Sequence, residues 1–431
     1  MSRNAGTIWP RRRFLMGALA GVASATLPRG ARGLWRSPNE TIGAGIIGLG
    51  DRGRSHLATL LKFPGLRVVA LCDVQRDALD RARAQVAREY GTAADHACQA
   101  VTDYRRMLEN PAVDVVVICS PENWHAKMAV DALRAGRDVY CEKALALTVE
   151  EGRAICNEVR RAGRVLQTGT QQRSDWKFRL ACDLVRAGFL GRVRTVWVSV
   201  PGGRALGVLP PAPVPPGLDY ELWLGPARYR PYREGLCTFN WYFVRDYCAG
   251  WIQSWGVHHV DIALWGLPEF ATAPLTIQGT ATFPEEGDGD TSISWQVTVE
   301  SASGVRMVFT SDDRAVHGHG VRFEGDRGWV HVTRAAIRAE PMELLHVKFG
   351  PDHHGLPVSR DHMANFLDCV RTRREPIAPA EGCQRATALT LAADLATRLG
   401  RPLTWDPVQE RFGDPMANRF LRRSYRSPWT L

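Results

Sequence analysis

No Cys-x-x-Cys pair occurs among the ten cysteines of this 431-residue chain. Cys72 and Cys119 fall in or at the end of apolar runs and read as small buried residues, not as metal ligands or a disulfide frame. Cys237 and Cys248 are near enough in sequence to pair, which spacing alone leaves open. His317, His319, His353 and His354 have no further ligands at a zinc-like spacing, so they read as loop histidines and no metal is expected. The chain has no internal repeat and no low-complexity domain. It also has no long basic run beyond its first 36 residues. Those hold seven arginines and no acid, so the rest of the chain carries only +3 of the total +10. That balance gives no reason to expect a nucleic-acid partner.

What the chain does have is an ordinary globular composition, 45% hydrophobic and 23% charged, at a length that suits two domains. Residues 1–36 read as an export signal and linker. Arg11-Arg12-Arg13-Phe14-Leu15 resembles the twin-arginine signal, and Ala23-Ser24-Ala25 is a candidate cleavage site. The apolar stretch Leu15 to Leu27 is too short to cross a bilayer core of about 30 Å, so no membrane anchor is expected. The expectation is a periplasmic or secreted protein.

The apolar run Ile42 to Ile47 is broken by Gly48-Leu49-Gly50-Asp51-Arg52-Gly53, and a helical pattern follows from Ser55 to Leu61. Strand, glycine-rich turn and helix together are the context of a dinucleotide fingerprint. Gly48 permits the tight turn, Gly50 lets a pyrophosphate approach the backbone, and Gly53 lets the helix pack close to the strand. The helix N-terminus then offers free N–H groups to phosphate. A second apolar run, Arg67 to Cys72, ends at Asp73, 20 residues after Gly53. A carboxylate there accepts the ribose hydroxyls of NAD and repels the 2′-phosphate of NADP. The spacing favours NAD, while Arg52 and Arg76 leave room for NADP.

Residues 40 to 170 alternate strand and helix. Strands are expected at Ile42–Ile47, Arg67–Cys72, Val113–Cys119, Asp138–Cys141 and Val165–Thr168. Helices are expected near Ser55–Lys62, Arg76–Tyr90, Ala126–Ala135 and Val149–Ala162. Continuous apolar strands in this alternation predict an α/β, doubly wound parallel sheet with its ligand across the carboxyl ends of the strands. The third strand ends in Ser120-Pro121-Glu122-Asn123-Trp124-His125 and the fourth in Tyr140-Cys141-Glu142-Lys143, so both loops face the glycine turn. Residues 171–405 form a second, α+β domain. Arg173–Gly188 is helical and Val193–Val200 is a strand. Further strands follow at Ala271–Phe283, Ser292–Ser301, Val305–Ser311, Val321–Gly325 and Gly328–Val332, then helices at Asp361–Arg371 and Glu381–Arg398. Strand after strand predicts an open, mostly antiparallel sheet. Such an exposed sheet favours a homodimer or homotetramer. The proline-rich loop Pro210–Gly217 is expected to line or cover the site. Residues 406–431 read as a tail packed on the surface or on a neighbouring subunit.

The glycine turn, the run Cys119 to His125, Cys141-Glu142-Lys143-Ala144 and Gln167-Thr168-Gly169-Thr170-Gln171-Gln172-Arg173 together resemble the Gfo/Idh/MocA oxidoreductases, in order and at matching spacing. The run from His362 to Leu431 resembles the family's exported branch, common in planctomycete-like bacteria. The resemblance implies a Rossmann domain followed by a substrate domain, an NAD(P) cofactor and a sugar, glycoside or cyclitol substrate. It implies that Lys143 is catalytic, donating a hydrogen bond to the reacting oxygen. Ala144 stands where the family has proline, and a non-proline cis peptide costs roughly 3 kcal/mol, so a trans bond is expected. His258 is the implied general base. Ser254, four residues earlier, stands where the family has aspartate. A shared helix face would let its hydroxyl orient the imidazole without adding negative charge.

The cofactor-contacting set is then Gly48, Leu49, Gly50, Arg52, Gly53, Asp73, Ser120, Pro121, Asn123, His125, Glu142 and Lys143. The substrate-contacting set is Trp124, Gln172, Arg173, Tyr242, Arg245 and Asp261. Export implies a tightly held cofactor, because free NAD is not supplied outside the cytoplasm. Two other readings stand beside the sugar oxidoreductase. One is an NAD-dependent glycoside hydrolase that works by transient oxidation and elimination. The other, suggested by Ala144 and Ser254, is a nucleotide- or sugar-binding protein without turnover.

Overall fold

Val-rich and Ile-rich runs need cover on both faces, and the fold supplies it. The strands β1 (Ile42–Ile47), β4 (Val115–Ile118) and β5 (Asp138–Cys141) are buried at every residue. They form a parallel sheet with β2 (Leu66–Cys72), β3 (Gln99–Val101) and β6 (Leu166–Thr168), in the order β3-β2-β1-β4-β5-β6. The strand order reverses beside β1, which places the ligand crevice at its carboxyl end. The computed structural model describes residues 41–91, 98–350 and 354–431, so the signal reading of residues 1–36 and the expectation for His353 lie outside them. Strand β3 was not anticipated: none of its three residues is fully buried, Ala100 is exposed, and they make no apolar run. The first helix begins at Asp51, earlier than the expected Ser55, with Gly50 as its N-cap. That brings the helix N-terminus directly onto the glycine turn.

The second sheet is mixed and mostly antiparallel. Its strands are β7 (Val193–Val200), β8 (Leu275–Thr282), β9 (Ser294–Ser301), β10 (Arg306–Ser311), β11 (Gly320–Gly325), β12 (Gly328–Val332), β13 (Ile337–Glu340), β14 (Leu403–Asp406) and β15 (Arg411–Phe412). Their order is β13-β12-β11-β7-β10-β9-β8-β14-β15, and only β7 and β10 pair in parallel. The nearly wholly buried helices Gly256–Gly266 and Ala380–Leu399 pack against β7 and β8 respectively and against each other. The expected helix Arg173–Gly188 is split. A 3-10 turn covers Gln171–Ser174, Asp175 caps the next segment by accepting from Lys177 N, and the α-helix runs Trp176–Arg186.

Three segments take positions that local sequence did not specify. Helix His362–Thr372 follows the second sheet in sequence but packs on the first: Met363, Phe366, Leu367 and Val370 share a core with Ile42, Ile46 and Leu66. The segment after Trp405, expected as a tail packed on the surface or on a neighbouring subunit, packs on its own chain. β14 runs through residue 406, Arg423 and Tyr425 bond Glu151 at 2.8 and 2.6 Å, and Trp429 meets Trp124 edge-on at 4.7 Å. An aromatic edge-to-face pair and a shared carboxylate bind this segment to its own chain. The proline-rich loop makes contact beside Arg76, whose N–H donates to Gly217 O at 2.9 Å, and it does not line the cleft. Among the described residues no helix is long and apolar enough to cross a membrane.

Candidate active site

A cleft of about 630 Å³ opens at the carboxyl ends of β1, β4 and β5. At one end lies the glycine turn. Gly48 has φ +84°, a left-handed conformation that glycine adopts without cost. A methyl group on Gly53 would sit 1.8 Å from the Gly48 carbonyl oxygen, so the helix packs there only because Gly53 lacks one. Over Gly50 the space is open: a methyl group would meet nothing within 4 Å. Asp73 Oδ2 accepts from Leu49 N at 2.6 Å and Oδ1 from Gln75 N at 2.8 Å. Burial raises the pKa of Asp73, against the pull of these two donors. The turn, the helix terminus and the fixed carboxylate suit the phosphates and ribose of a dinucleotide.

Glu142, at the end of β5, is buried. Its Oε1 accepts from Arg52 Nε at 2.5 Å and contacts His56 Nε2 at 2.8 Å. Burial opposes its charge, but the His56 hydrogen bond and the Arg52 charge outweigh that and hold its pKa far below the usual carboxylate range. Lys143 follows it into the cleft. Its Nζ donates to Ser254 Oγ at 2.9 Å and lies 5.8 Å from the Tyr242 ring centroid. Ser254 is therefore a positioning residue for Lys143. It does not supply the expected orienting contact to His258: its oxygen accepts from the lysine, His258 Nδ1 has no hydrogen-bond partner among the described residues, and the helix is interrupted at Trp255 between Trp251–Ser254 and Gly256–Gly266. The Lys143–Ala144 peptide is cis, not trans as expected. The Ala144 carbonyl meets His125 Nδ1 at 2.6 Å and its N–H donates to Glu122 Oε1 at 3.3 Å.

His258 lines the same cleft from the second domain, with its Nδ1 buried and without a hydrogen-bond partner among the described residues. Burial lowers its pKa well below 6.5, and the positive charges of Lys143 and Arg334 lower it further. The imidazole is neutral at neutral pH, the form a general base requires. Lys143 and His258 thus face one cavity from the two domains, one as a cationic donor and one as a neutral acceptor.

Of the expected contacts, Gly48, Leu49, Gly50, Arg52, Asp73, Ser120, Pro121, Trp124, Glu142, Lys143, Tyr242 and His258 line the cleft. The others do not. His125 clamps two loops, with Nδ1 on Ala144 O and Nε2 on Ser120 O at 2.9 Å. Asn123 donates to Leu224 O at 3.1 Å, and Arg245 N–H bonds Asp290 while its guanidinium lies 3.4 Å from Asp394. Gln172 lies behind the cleft wall, where Arg334 reaches its Oε1 at 3.3 Å. Arg173 and Asp261 form a buried two-bond ion pair at 2.7 and 2.6 Å. Residue type alone did not separate these inward-facing polar groups from ligand contacts.

Sequence reasoning missed Trp255, Trp241, Phe239 and Arg334, all of which line the cleft. Trp255 stands in the motif beside His258 and was legible there. Arg334 comes from the turn between β12 and β13, where no local pattern marks it. Among the described residues no group of three His, Cys, Asp or Glu could hold a metal.

Comparison with known proteins accounts for this arrangement. A family model described as the oxidoreductase family NAD-binding Rossmann fold matches residues 42–170, and one described as the family's C-terminal alpha/beta domain matches 184–431. The chain belongs to the Gfo/Idh/MocA family, a family of NAD-binding oxidoreductases. It is 26% identical over 389 residues to the uncharacterized oxidoreductase YrbE of Bacillus subtilis, covering 86% of this chain and 98% of that one. It is 26% identical over 290 residues to myo-inositol 2-dehydrogenase of Thermotoga maritima, covering 66% and 73%. A shorter match, 28% over 181 residues, joins 41% of this chain to 39% of an alpha-N-acetylgalactosaminidase of Shewanella oneidensis. The fold matches that of aldose-aldose oxidoreductase from Caulobacter crescentus (TM-score 0.59, 22% identity, 84% and 99% covered). It also matches that of the WlbA dehydrogenase from Bordetella pertussis in complex with NADH and UDP-GlcNAcA (TM-score 0.63, 18%, 84% and 98%).

Two outcomes follow. Asp261→Ala leaves the Arg173 guanidinium buried without its counter-charge and should cost about 3–5 kcal/mol, read as a lower urea midpoint. Unchanged stability with a raised KM would instead make Asp261 a substrate contact. Because the pKa of His258 is depressed, its base form persists as pH falls through 6.5, so the acid limb of kcat/KM should lie below 6.5. Lys143→Met should lower kcat about 10²-fold or more and move that limb up toward 6.5. A limb that stays in place would remove His258 from the role of base.

Proposed function

We propose that this chain is an exported, NAD-dependent oxidoreductase acting on a hydroxyl of a sugar, glycoside or cyclitol, with its cofactor held tightly. The observation that carries this reading is the convergence of Lys143 and His258 on one cleft that begins at the glycine turn. NAD, when bound, supplies the hydride acceptor. Asp73 holds the ribose end and disfavours NADP. His258 accepts the proton of the substrate hydroxyl, and Lys143, aimed by Ser254, donates a hydrogen bond to the same oxygen and stabilises its developing negative charge. The aromatic groups Trp241 and Tyr242, stacked at 3.8 Å, offer an apolar platform of the kind a sugar ring packs on. Export rests on the twin-arginine resemblance, and association into a homodimer or homotetramer rests on the open nine-stranded sheet.

A second reading is glycoside cleavage by transient oxidation, favoured by the partial likeness to an alpha-N-acetylgalactosaminidase. It uses the same residues and regenerates the cofactor in each turnover. Cleavage of a glycoside without NADH accumulation would select it.

The test is the nucleotide content of mature protein taken from the periplasm of producing cells, released by denaturation and identified by mass. The expected result is close to one NAD(H) per chain. Absence of nucleotide, together with failure to bind added NAD or NADP, would overturn the proposal.

A further inference from the structure

The acids and bases of the cleft are unequally satisfied. Each acid lining it is already engaged. Asp51 pairs with Arg54, Asp103 with Arg105 at 2.6 Å, Asp73 with two backbone N–H groups, and Glu142 with Arg52 and His56. Two cations at the His258 end have only neutral hydrogen-bond partners, the nearest carboxylate, Glu142, being bonded to Arg52 and His56. Lys143 Nζ rests on the Ser254 hydroxyl at 2.9 Å. Arg334 Nε donates to the Gln172 amide oxygen at 3.3 Å, and its guanidinium carbon sits 4.5 Å from the Trp255 ring centroid.

Stacking on Trp255 and the bond to Gln172 hold Arg334 in place while using only Nε among its donors. The two terminal nitrogens remain for a planar, two-oxygen acceptor. Trp255 also packs against His258 at 5.6 Å, so Arg334 is anchored beside the base. A neutral sugar would leave the guanidinium without a directly bonded anion once water is displaced, which is unfavourable in a closed site. An anionic substituent on the substrate would supply it.

We propose that the His258 end of the cleft is a binding site for an anionic group on the substrate, a carboxylate or phosphate of a carbohydrate, taken by Arg334. Lys143 contributes to the same positive field while serving the reacting oxygen. The inference rests on the reading of this cleft as a carbohydrate site and narrows its substrate class to charged sugars.

The test is equilibrium binding to the NAD-loaded protein in matched pairs: glucose against glucuronate, galactose against galacturonate, and each hexose against its 6-phosphate. In at least one pair the charged member should bind about tenfold or more tightly than its parent. Raising the salt concentration should erode that margin and leave the neutral sugar unaffected. Arg334→Gln should abolish the margin with NAD affinity unchanged, and Arg334→Lys, which keeps the charge but loses the fork, should restore part of it. Preference for the uronates would identify a carboxylate, and preference for the phosphates a phosphoryl group. Equal binding within every pair would overturn the proposal. So would a loss of NAD affinity in Arg334→Gln, which would assign the arginine to the cofactor's own phosphates. Binding is read without turnover. A charged-sugar preference with neither NADH formation nor glycoside cleavage would keep this inference and remove the oxidoreductase, and NADH formation from neutral sugars alone would do the reverse.

Discussion

The site depends on one buried carboxylate. Glu142 directly follows β5 and is held by Arg52 and His56 from the helix that follows the glycine turn. A charge in that position is costly unless it is paired and hydrogen-bonded, and here it is both. The pairing locks the end of β5 against the first helix. The next residue, Lys143, is thereby presented to the same space that the helix N-terminus faces. Gly169 is part of the constraint: a methyl group there would come within 2.5 Å of Glu142 Oε2. The nucleotide end and the chemical end of the cleft are coupled through this one side chain.

The second domain completes the cleft with groups of opposite electrostatic character. His258 is kept neutral by burial and by the positive charges around it. Lys143 is aimed by Ser254 on the helix that leads to His258. An aspartate at position 254 would have neutralised part of the lysine charge and raised the basicity of the imidazole. The serine leaves the lysine with a neutral hydrogen-bond partner. Arg334, likewise bonded to a neutral group, adds a second positive charge at the His258 end of the cleft.

Much of the fold was legible because it rests on patterns that local sequence carries. The strands Ile42–Ile47 and Asp138–Cys141 and the helices Arg76–Tyr90 and Val149–Ala162 fall where their apolar spacing put them. The glycine turn and Asp73 were legible for the same reason. The placement of elements by long-range packing was not. Helix His362–Thr372 crosses to the first sheet, and the last residues fold back onto Glu151 and Trp124, because of partners remote in sequence. The candidate site divides the same way. Lys143 and His258 stand in motifs and line the cleft. Asp261 and Arg173 also stand in motifs, yet they pair with each other out of its reach. Arg334 stands in no motif and lines the cleft through tertiary structure alone.

In the proposed function, Lys143 and His258 flank the point where hydride leaves the substrate. The most direct measurement is a crystal structure of the NAD complex. The pyrophosphate is expected over Gly50 and the nicotinamide on the Lys143 side of the cleft. Space for a substrate carbon is expected about 3–3.5 Å from nicotinamide C4, with its oxygen in reach of both Lys143 Nζ and His258. A nicotinamide seated away from these two residues, with no room for a hydroxyl between them, would contradict it.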